Sequence, residues 1–140
     1  MIKKTVLIVM GGNSRERDIS IQTGKACIKA IKKIGYNTRI FDPKYKSFLD
    51  INKKKIDIIF NALHGEEGED GYAQSYFEYL KIPYTHSGVI SSMNAMNKIT
   101  SKKIFKKHNI KTPKYRVLKK KLFSKKNLLH LIKNSSFRFP

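Results

Sequence analysis

The sequence predicts an α/β fold, a parallel sheet with helices on both faces, followed by the start of a second small α+β unit. Two observations lead there. Thr5 to Met10 and Ile56 to Phe60 are short β-branched apolar runs of the kind buried on both faces of a parallel sheet. Each run ends in a glycine-bearing loop, Gly11 to Arg17 and Asn61 to Gly71, that feeds a helical pattern. In open α/β sheets, ligands bind where such loops leave the carboxyl ends of neighbouring strands, at the point where strand order reverses. The two loops meet if the strand order is 2-1-3. Glycines let the backbone approach a ligand, and the helix N-terminus behind each loop supplies free N–H groups and a positive dipole end, a setting that favours an ionised Glu16.

After the first strand, Asp18 or Ser20 can cap a helix running to Ile34, with Gly35 as its stop. Gly24, Cys27, Ile28 and Ile31 then share one face of it. Tyr36 to Phe41 reads as the second strand, ended by Asp42-Pro43, and residues 44 to 55 as a basic connection with one helical turn around Phe48 to Ile51. The third strand runs from Ile56 to Asn61, a helix follows from Tyr72 to Leu80, and Pro83 to Ser87 is a fourth strand or an extended piece. Beyond Gly88 a helix is expected from Ser91 to His108, stopped by Thr112-Pro113. A strand at Tyr115 to Leu118 and a helix at Ser124 to Lys133 make a second unit that begins near residue 89. Phe137 to Pro140 reads as the entrance to one more strand with nothing to cover it, which predicts a truncated reading frame.

Composition narrows the function classes. At 140 residues, 40% apolar, the chain can bury a core, and no apolar run approaches the roughly 20 residues needed to span a bilayer. Met1-Ile2-Lys3-Lys4 imitates the start of a signal peptide, but the apolar run ends at Met10 before two glycines and Arg15-Glu16-Arg17, so export is not expected. Cys27 is the one cysteine, which excludes an intramolecular disulfide and a thiolate metal cluster and fits a reducing cytoplasm. The net charge of +20 is uneven: all ten acids lie at or before Glu78. Residues 1 to 78 hold 14 basic and 10 acidic residues, and residues 79 to 140 hold 16 basic residues and no acid. A basic surface can mark nucleic-acid binding. Here the lysines are not interleaved with aromatics as a stacking platform requires, and they accompany a bias to isoleucine and asparagine, so they read as solvated faces.

Standard site motifs fail one by one. Gly11-Gly12-Asn13-Ser14 is neither the dinucleotide Gly-x-Gly-x-x-Gly nor a P-loop. His64-Gly65-Glu66 contains the His-x-Glu fragment of zinc deaminases without their Pro-Cys-x-x-Cys, and His-Glu-x-x-His is absent. Glu66, Glu67, Glu69 and Asp70 lack the spacing of an EF-hand, and Glu69-Asp70-Gly71 at a helix start also serves the helix dipole, so no metal site is expected in this chain.

Taken together, the two loops carry a family resemblance. Gly11-Gly12-Asn13-Ser14-Arg15-Glu16-Arg17-Asp18-Ile19-Ser20 resembles the Gly-Gly-x-Ser-x-Glu-Arg-x-Val-Ser signature of D-alanine-D-alanine ligases. Asn61 to Gly71 resembles their Ala-Leu-His-Gly-x-x-Gly-Glu-Asp-Gly, and Ile82-Pro83-Tyr84-Thr85 with Ser87-Gly88 resembles Ile-Pro-Tyr-Thr-Gly-Ser-Gly. Met96-Asn97-Lys98 falls where the family has Met-Asp-Lys. His86 in place of glycine and Asn97 in place of aspartate are the two departures.

The resemblance implies a Rossmann-like pre-ATP-grasp domain at residues 1–88 that binds substrate, and at residues 89–140 the beginning of a central ATP-grasp domain, truncated. It implies an enzyme that uses ATP and Mg²⁺ (or Mn²⁺) to convert D-alanine to an acylphosphate, which a second D-alanine attacks to give the dipeptide for peptidoglycan. Glu16 would hold the ammonium of the first D-alanine as the catalytic and substrate-binding carboxylate, and His64 would line the same subsite. Ser20 is assigned there too and, with Gly11, Gly12 and the Gly68-Glu69-Asp70-Gly71 turn, would hold the loops in place. Lys98 would reach the ATP phosphates as a point charge. Metal ligands and most ATP contacts would lie beyond Pro140, so the isolated polypeptide is expected to be inactive. The family further implies a homodimer, while composition and cysteine usage predict a cytoplasmic protein with no nucleic-acid or membrane partner. The competing readings are another ATP-grasp ligase, such as a D-alanine-D-lactate ligase, and a basic nucleic-acid-binding module, which a steep salt dependence would reveal.

Overall fold

The computed structural model describes residues 4–117 and His130. Strands β1 (Thr5–Val9), β2 (Asn37–Phe41) and β3 (Ile58–Asn61) form a parallel sheet in the order β2-β1-β3, the order that lets the first and third loops meet. Leu7 stands opposite Arg39 on one side and Ile59 on the other.

The alternation of side chains along β1 divides the core in two. Leu7 and Val9 point into a cluster with Phe41, Phe48, Ile51, Ile59, Leu63 and Phe77, the last supplied by α2 (Tyr72–Tyr79). Val6, Ile8 and Met10 point the other way, where Ile28 and Ile31 of α1 (Arg17–Lys33) pack against them. Helices therefore cover both faces. Gly24 gives Met10 its room, because a Cβ there would stand 2.8 Å from the Met10 Cβ. Between β2 and β3 the chain makes two 3-10 turns, Phe48–Asp50 and Lys53–Lys55, of which the first carries a capping box between Ser47 and Asp50.

Several sequence expectations need correction. Helix α1 begins earlier than a cap at Asp18 or Ser20 allows: Glu16 is its N-cap, without a side-chain cap bond. Asp18 lies in the first turn, where its charge complements the dipole, and the Ser20 hydroxyl is spent on the sheet instead. Strand β3 starts at Ile58 because the Lys53–Lys55 turn runs up to Ile56. Of the two alternatives for Pro83 to Ser87 the extended piece holds: it makes one parallel bridge, Ile59 to Tyr84, because Pro83 has no N–H to extend the ladder on one side and the Thr85 hydroxyl takes the Asn61 N–H on the other. The expected helix from Ser91 to His108 is two helices, α3 (Val89–Met96) and α4 (Lys98–Lys107), separated at Asn97, whose φ of −83° and ψ of 100° leave the helical region. Asparagine competes for backbone hydrogen bonds and favours such breaks. Tyr115 to Val117 form no strand among the described residues, and the expected elements at 124–133 and 137–140 lie outside them.

By internal contacts the chain divides into two compact units, Met1–Lys98 and Ile99–Pro140, and the sheet belongs to the first. In the second, the Lys102 ammonium donates to the Pro113 carbonyl at 2.9 Å and lies over the Tyr115 ring. Among the described residues no helix is long and apolar enough to cross a membrane.

Candidate functional site

Gly11 and Gly12 turn the chain at the end of β1 with φ of +94° and +77°, a conformation that side-chain-bearing residues rarely adopt. The turn is clamped from the end of β2. Arg17 donates to the Gly12 carbonyl at 2.9 Å and to both oxygens of Asp42, at 3.1 and 2.7 Å, while the Gly12 N–H donates to Asp42 Oδ1 at 3.0 Å. Burial opposes the charge on Asp42, but the Arg17 guanidinium and the N–H groups of Gly12 and Lys44 outweigh it and hold the carboxyl below its ordinary range. The Arg17 guanidinium also lies 5.5 Å from the centre of the Tyr45 ring.

Two hydroxyls then lace the first loop to the third. Ser20, fully buried, accepts from the Gly11 N–H and donates to the Ala62 carbonyl, both at 2.8 Å. Ser14 donates to the His64 carbonyl at 2.7 Å and accepts from the Glu16 N–H at 3.1 Å. As a result the Glu16 carboxylate lies against Gly65: a Cβ on Gly65, whose φ is +70°, would stand 3.0 Å from Glu16 Oε1. The His64 imidazole is half-buried, its Nε2 3.1 Å from the Thr23 hydroxyl on α1. Glu16 itself is exposed. A carboxylate and an oriented imidazole on adjoining loops can receive a cationic head group on one side and a hydrogen-bonding group on the other.

The third loop spends two of its acids, Glu69 and Asp70, on its own backbone. Glu69 accepts from the Gly65 N–H at 2.9 Å, and Asp70 accepts from Glu67 and Tyr72 N–H groups at 3.0 Å each, just ahead of Gly71, the N-cap of α2. The Gly68 carbonyl receives the side-chain amides of Asn61 and Gln74 at 2.9 and 2.8 Å. Lys98 opens α4 as an exposed side chain, and among the described residues no hydrogen bond or ion pair links it to either loop. Glu16, Ser20, His64 and the glycine turns are thus brought together and Lys98 is not. Arg17, Asp42 and Thr23 were not foreseen as parts of the site. Arg17 stood within the first motif, Asp42 was read as a strand stop, and Thr23 had no signal.

An open parallel sheet whose first and third loops are bonded together at their carboxyl ends, around a carboxylate and an imidazole, places the chain in the class of open α/β domains, whose ligands bind at that edge. Residues 37–87 match the family model described as D-ala D-ala ligase N-terminus. The D-alanine-D-alanine ligase of Pelagibacter ubique is 50% identical over 139 residues, 98% of this chain and 44% of that protein. The crystal structure of the Bacillus anthracis D-alanine-D-alanine ligase complexed with ATP has 34% identity and a TM-score of 0.75 over 93% of this chain and 43% of that one. The Coxiella burnetii D-alanine-D-alanine ligase shares the fold at a TM-score of 0.78, over 94% of this chain and 50% of that one, with 22% identity. Over nearly all its length the chain is similar to the amino-terminal region of D-alanine-D-alanine ligases. It spans less than half the length of the Pelagibacter ubique ligase.

Proposed function

We propose that this chain supplies the first-substrate subsite of an ATP-dependent D-alanine-D-alanine ligase, which makes the dipeptide for peptidoglycan as a cytoplasmic homodimer. The observation that carries the reading is the Ser14 to His64 bond, which sets Glu16 beside the His64-Gly65 turn in the two segments that resemble the family's signatures. In this reading Glu16 holds the substrate ammonium by charge-assisted hydrogen bonds, and His64, oriented by Thr23, lines the same subsite. Ser20 and the Arg17–Asp42 pair keep both loops in register so that little reorganisation accompanies binding.

ATP, when bound, supplies the phosphoryl group that activates the substrate carboxylate. Lys98, an exposed cation at the start of α4, suits a phosphate as a point charge. Residues 89–140 are proposed to begin the central nucleotide-binding domain, and Mg²⁺ (or Mn²⁺) would be held by residues outside this sequence, because no acid follows Glu78. The isolated chain is proposed to be inactive.

The test is a chimera in which this chain replaces the corresponding segment of the Pelagibacter ubique ligase. D-alanine-dependent phosphate release is expected, with the KM for the first D-alanine raised at least tenfold by Glu16→Gln. An active chimera whose KM ignores that substitution would refute the role of Glu16.

A further inference from the structure

Residues 72 to 97, which hold α2 and α3, carry two charged residues, Glu78 and Lys81, whereas the other 114 residues carry 29 basic and 9 acidic ones. Neither helix holds a lysine or an arginine, and the one carboxylate, Glu78, accepts the Tyr84 hydroxyl at 2.8 Å. Exposed surface in this chain is otherwise rich in lysine. A helix pair kept clear of it has the composition of a contact surface, in which lysine is depleted and tyrosine and methionine are enriched.

What the pair shows to the outside fits that composition. Tyr72, Tyr76 and Tyr79 recur at helical spacing along α2, and Ile90, Met93 and Met96 share one side of α3. All of these except the half-buried Tyr76 are exposed. The two rows are continuous: a Cβ on Gly71 would stand 2.8 Å from Met93 Cγ, which puts Met93 beside the start of α2. Buried Phe48 stacks on Tyr76 with ring centres 5.1 Å apart and ties the tyrosine row to the core.

We propose that α2 and α3 form the face through which two copies of this chain associate, each copy presenting the same patch to the other. Charge selects the partner. An acidic protein would gain by meeting one of the lysine-rich faces, because complementary charge steers association. A second copy of a chain with a net charge of +20 meets least repulsion where the contact holds no lysine, which α2 and α3 provide. The inference rests on the homodimer of the reading above and gives it a surface.

The test is sedimentation velocity, over a concentration series, of the chimera described above and of the 140-residue chain. A monomer–dimer equilibrium of the chimera is expected, tightened by sodium chloride because screening weakens the repulsion between like-charged copies. Ile90→Lys and Tyr79→Lys should each weaken it at least tenfold. These side chains are 68% and 75% exposed, so neither substitution disturbs the core, and should one variant fail to fold by circular dichroism the other decides. Ile40→Lys, on the exposed part of β2, should leave the equilibrium unchanged. A monomeric chimera, a dimer that withstands both substitutions, or one that yields equally to Ile40→Lys would overturn the proposal. So would an association of the 140-residue chain that the chimera lacks, since the rest of the longer protein would then cover the face. Phosphate release by the chimera reads the ligase assignment separately: an active monomer overturns the surface alone, and an inactive dimer that both substitutions weaken leaves the surface standing.

Discussion

Ser14 donates its hydroxyl proton to the carbonyl oxygen of His64 at 2.7 Å across fifty positions of sequence, and the Ser14 hydroxyl oxygen accepts the Glu16 N–H at 3.1 Å. One side chain therefore sets the spacing of the two loops and the path of the backbone into Glu16. Ser14→Ala removes both bonds and should cost about 1 kcal/mol, equivalent to about fivefold in a binding constant. Amide hydrogen exchange should rise in residues 11–17 and 61–66 and stay unchanged in β1. In the active chimera the KM for D-alanine should rise while kcat moves little. Unchanged exchange in both loops would contradict this account.

Asp42 gives the domain an acid-sensitive clamp. Against the cost of burial, its carboxyl is held below the ordinary carboxylate range in the folded state by the Arg17 guanidinium and the Gly12 and Lys44 N–H groups, so the unfolded chain binds the proton more readily. The stabilisation is full above the pKa of the unfolded carboxyl and is lost as pH falls through the lower folded one. Melting temperatures measured between about pH 5 and about pH 2 should therefore fall, and Asp42→Asn should flatten part of that slope while lowering stability at neutral pH. Equal slopes for parent and variant would remove Asp42 as the cause.

Thr23 holds the His64 ring by its Nε2, a contact that no local motif announced. Thr23→Val keeps the branched shape and deletes the hydroxyl. The ring nitrogen shifts of His64 should then report a changed tautomer balance with the helix intact by circular dichroism. Unaltered nitrogen shifts would mean that the ring is oriented by something else.

His86 stands at φ +84°, a left-handed conformation that costs a histidine about 1 kcal/mol relative to glycine. His86→Gly should raise stability by roughly 0.5–1 kcal/mol, read as a melting temperature a few degrees higher. The substitution removes only an exposed side chain, so a loss of stability would show that the imidazole makes a compensating interaction.

What could be read from residues alone followed the range of the forces involved. The apolar runs that became β1 and β3, and the Gly35 stop, are local signals, and the two signature loops mark the strand ends that the order β2-β1-β3 brings together. The Arg17–Asp42 pair is 25 positions apart in sequence and the Thr23–His64 contact 41, and neither residue type is unusual where it stands, so only the folded chain pairs them. Helix boundaries failed where a single residue decides between competing backbone partners. Ser20 looked like a cap but bonds across to Ala62, and Asn97 lay within an apolar helical pattern that it interrupts.

Gly68 offers a test of how tightly the third loop is built. A Cβ there would stand 2.9 Å from the Leu63 carbonyl carbon and 3.2 Å from the His64 backbone nitrogen, so the obstacle is backbone and cannot rotate away. The Gly68 carbonyl also receives two buried side-chain amides, from Asn61 and Gln74, and a shift large enough to admit a methyl group would loosen both. Gly68→Ala should therefore cost about 2–4 kcal/mol and lower the melting temperature by roughly 10 °C. The comparison is Gly35→Ala, where the added Cβ meets nothing within 4 Å and only the φ of +93° opposes it, so the loss should be nearer 1 kcal/mol. Thermal unfolding of the two variants side by side separates crowding from backbone strain, and equal losses would mean that the loop yields where the structure has it packed.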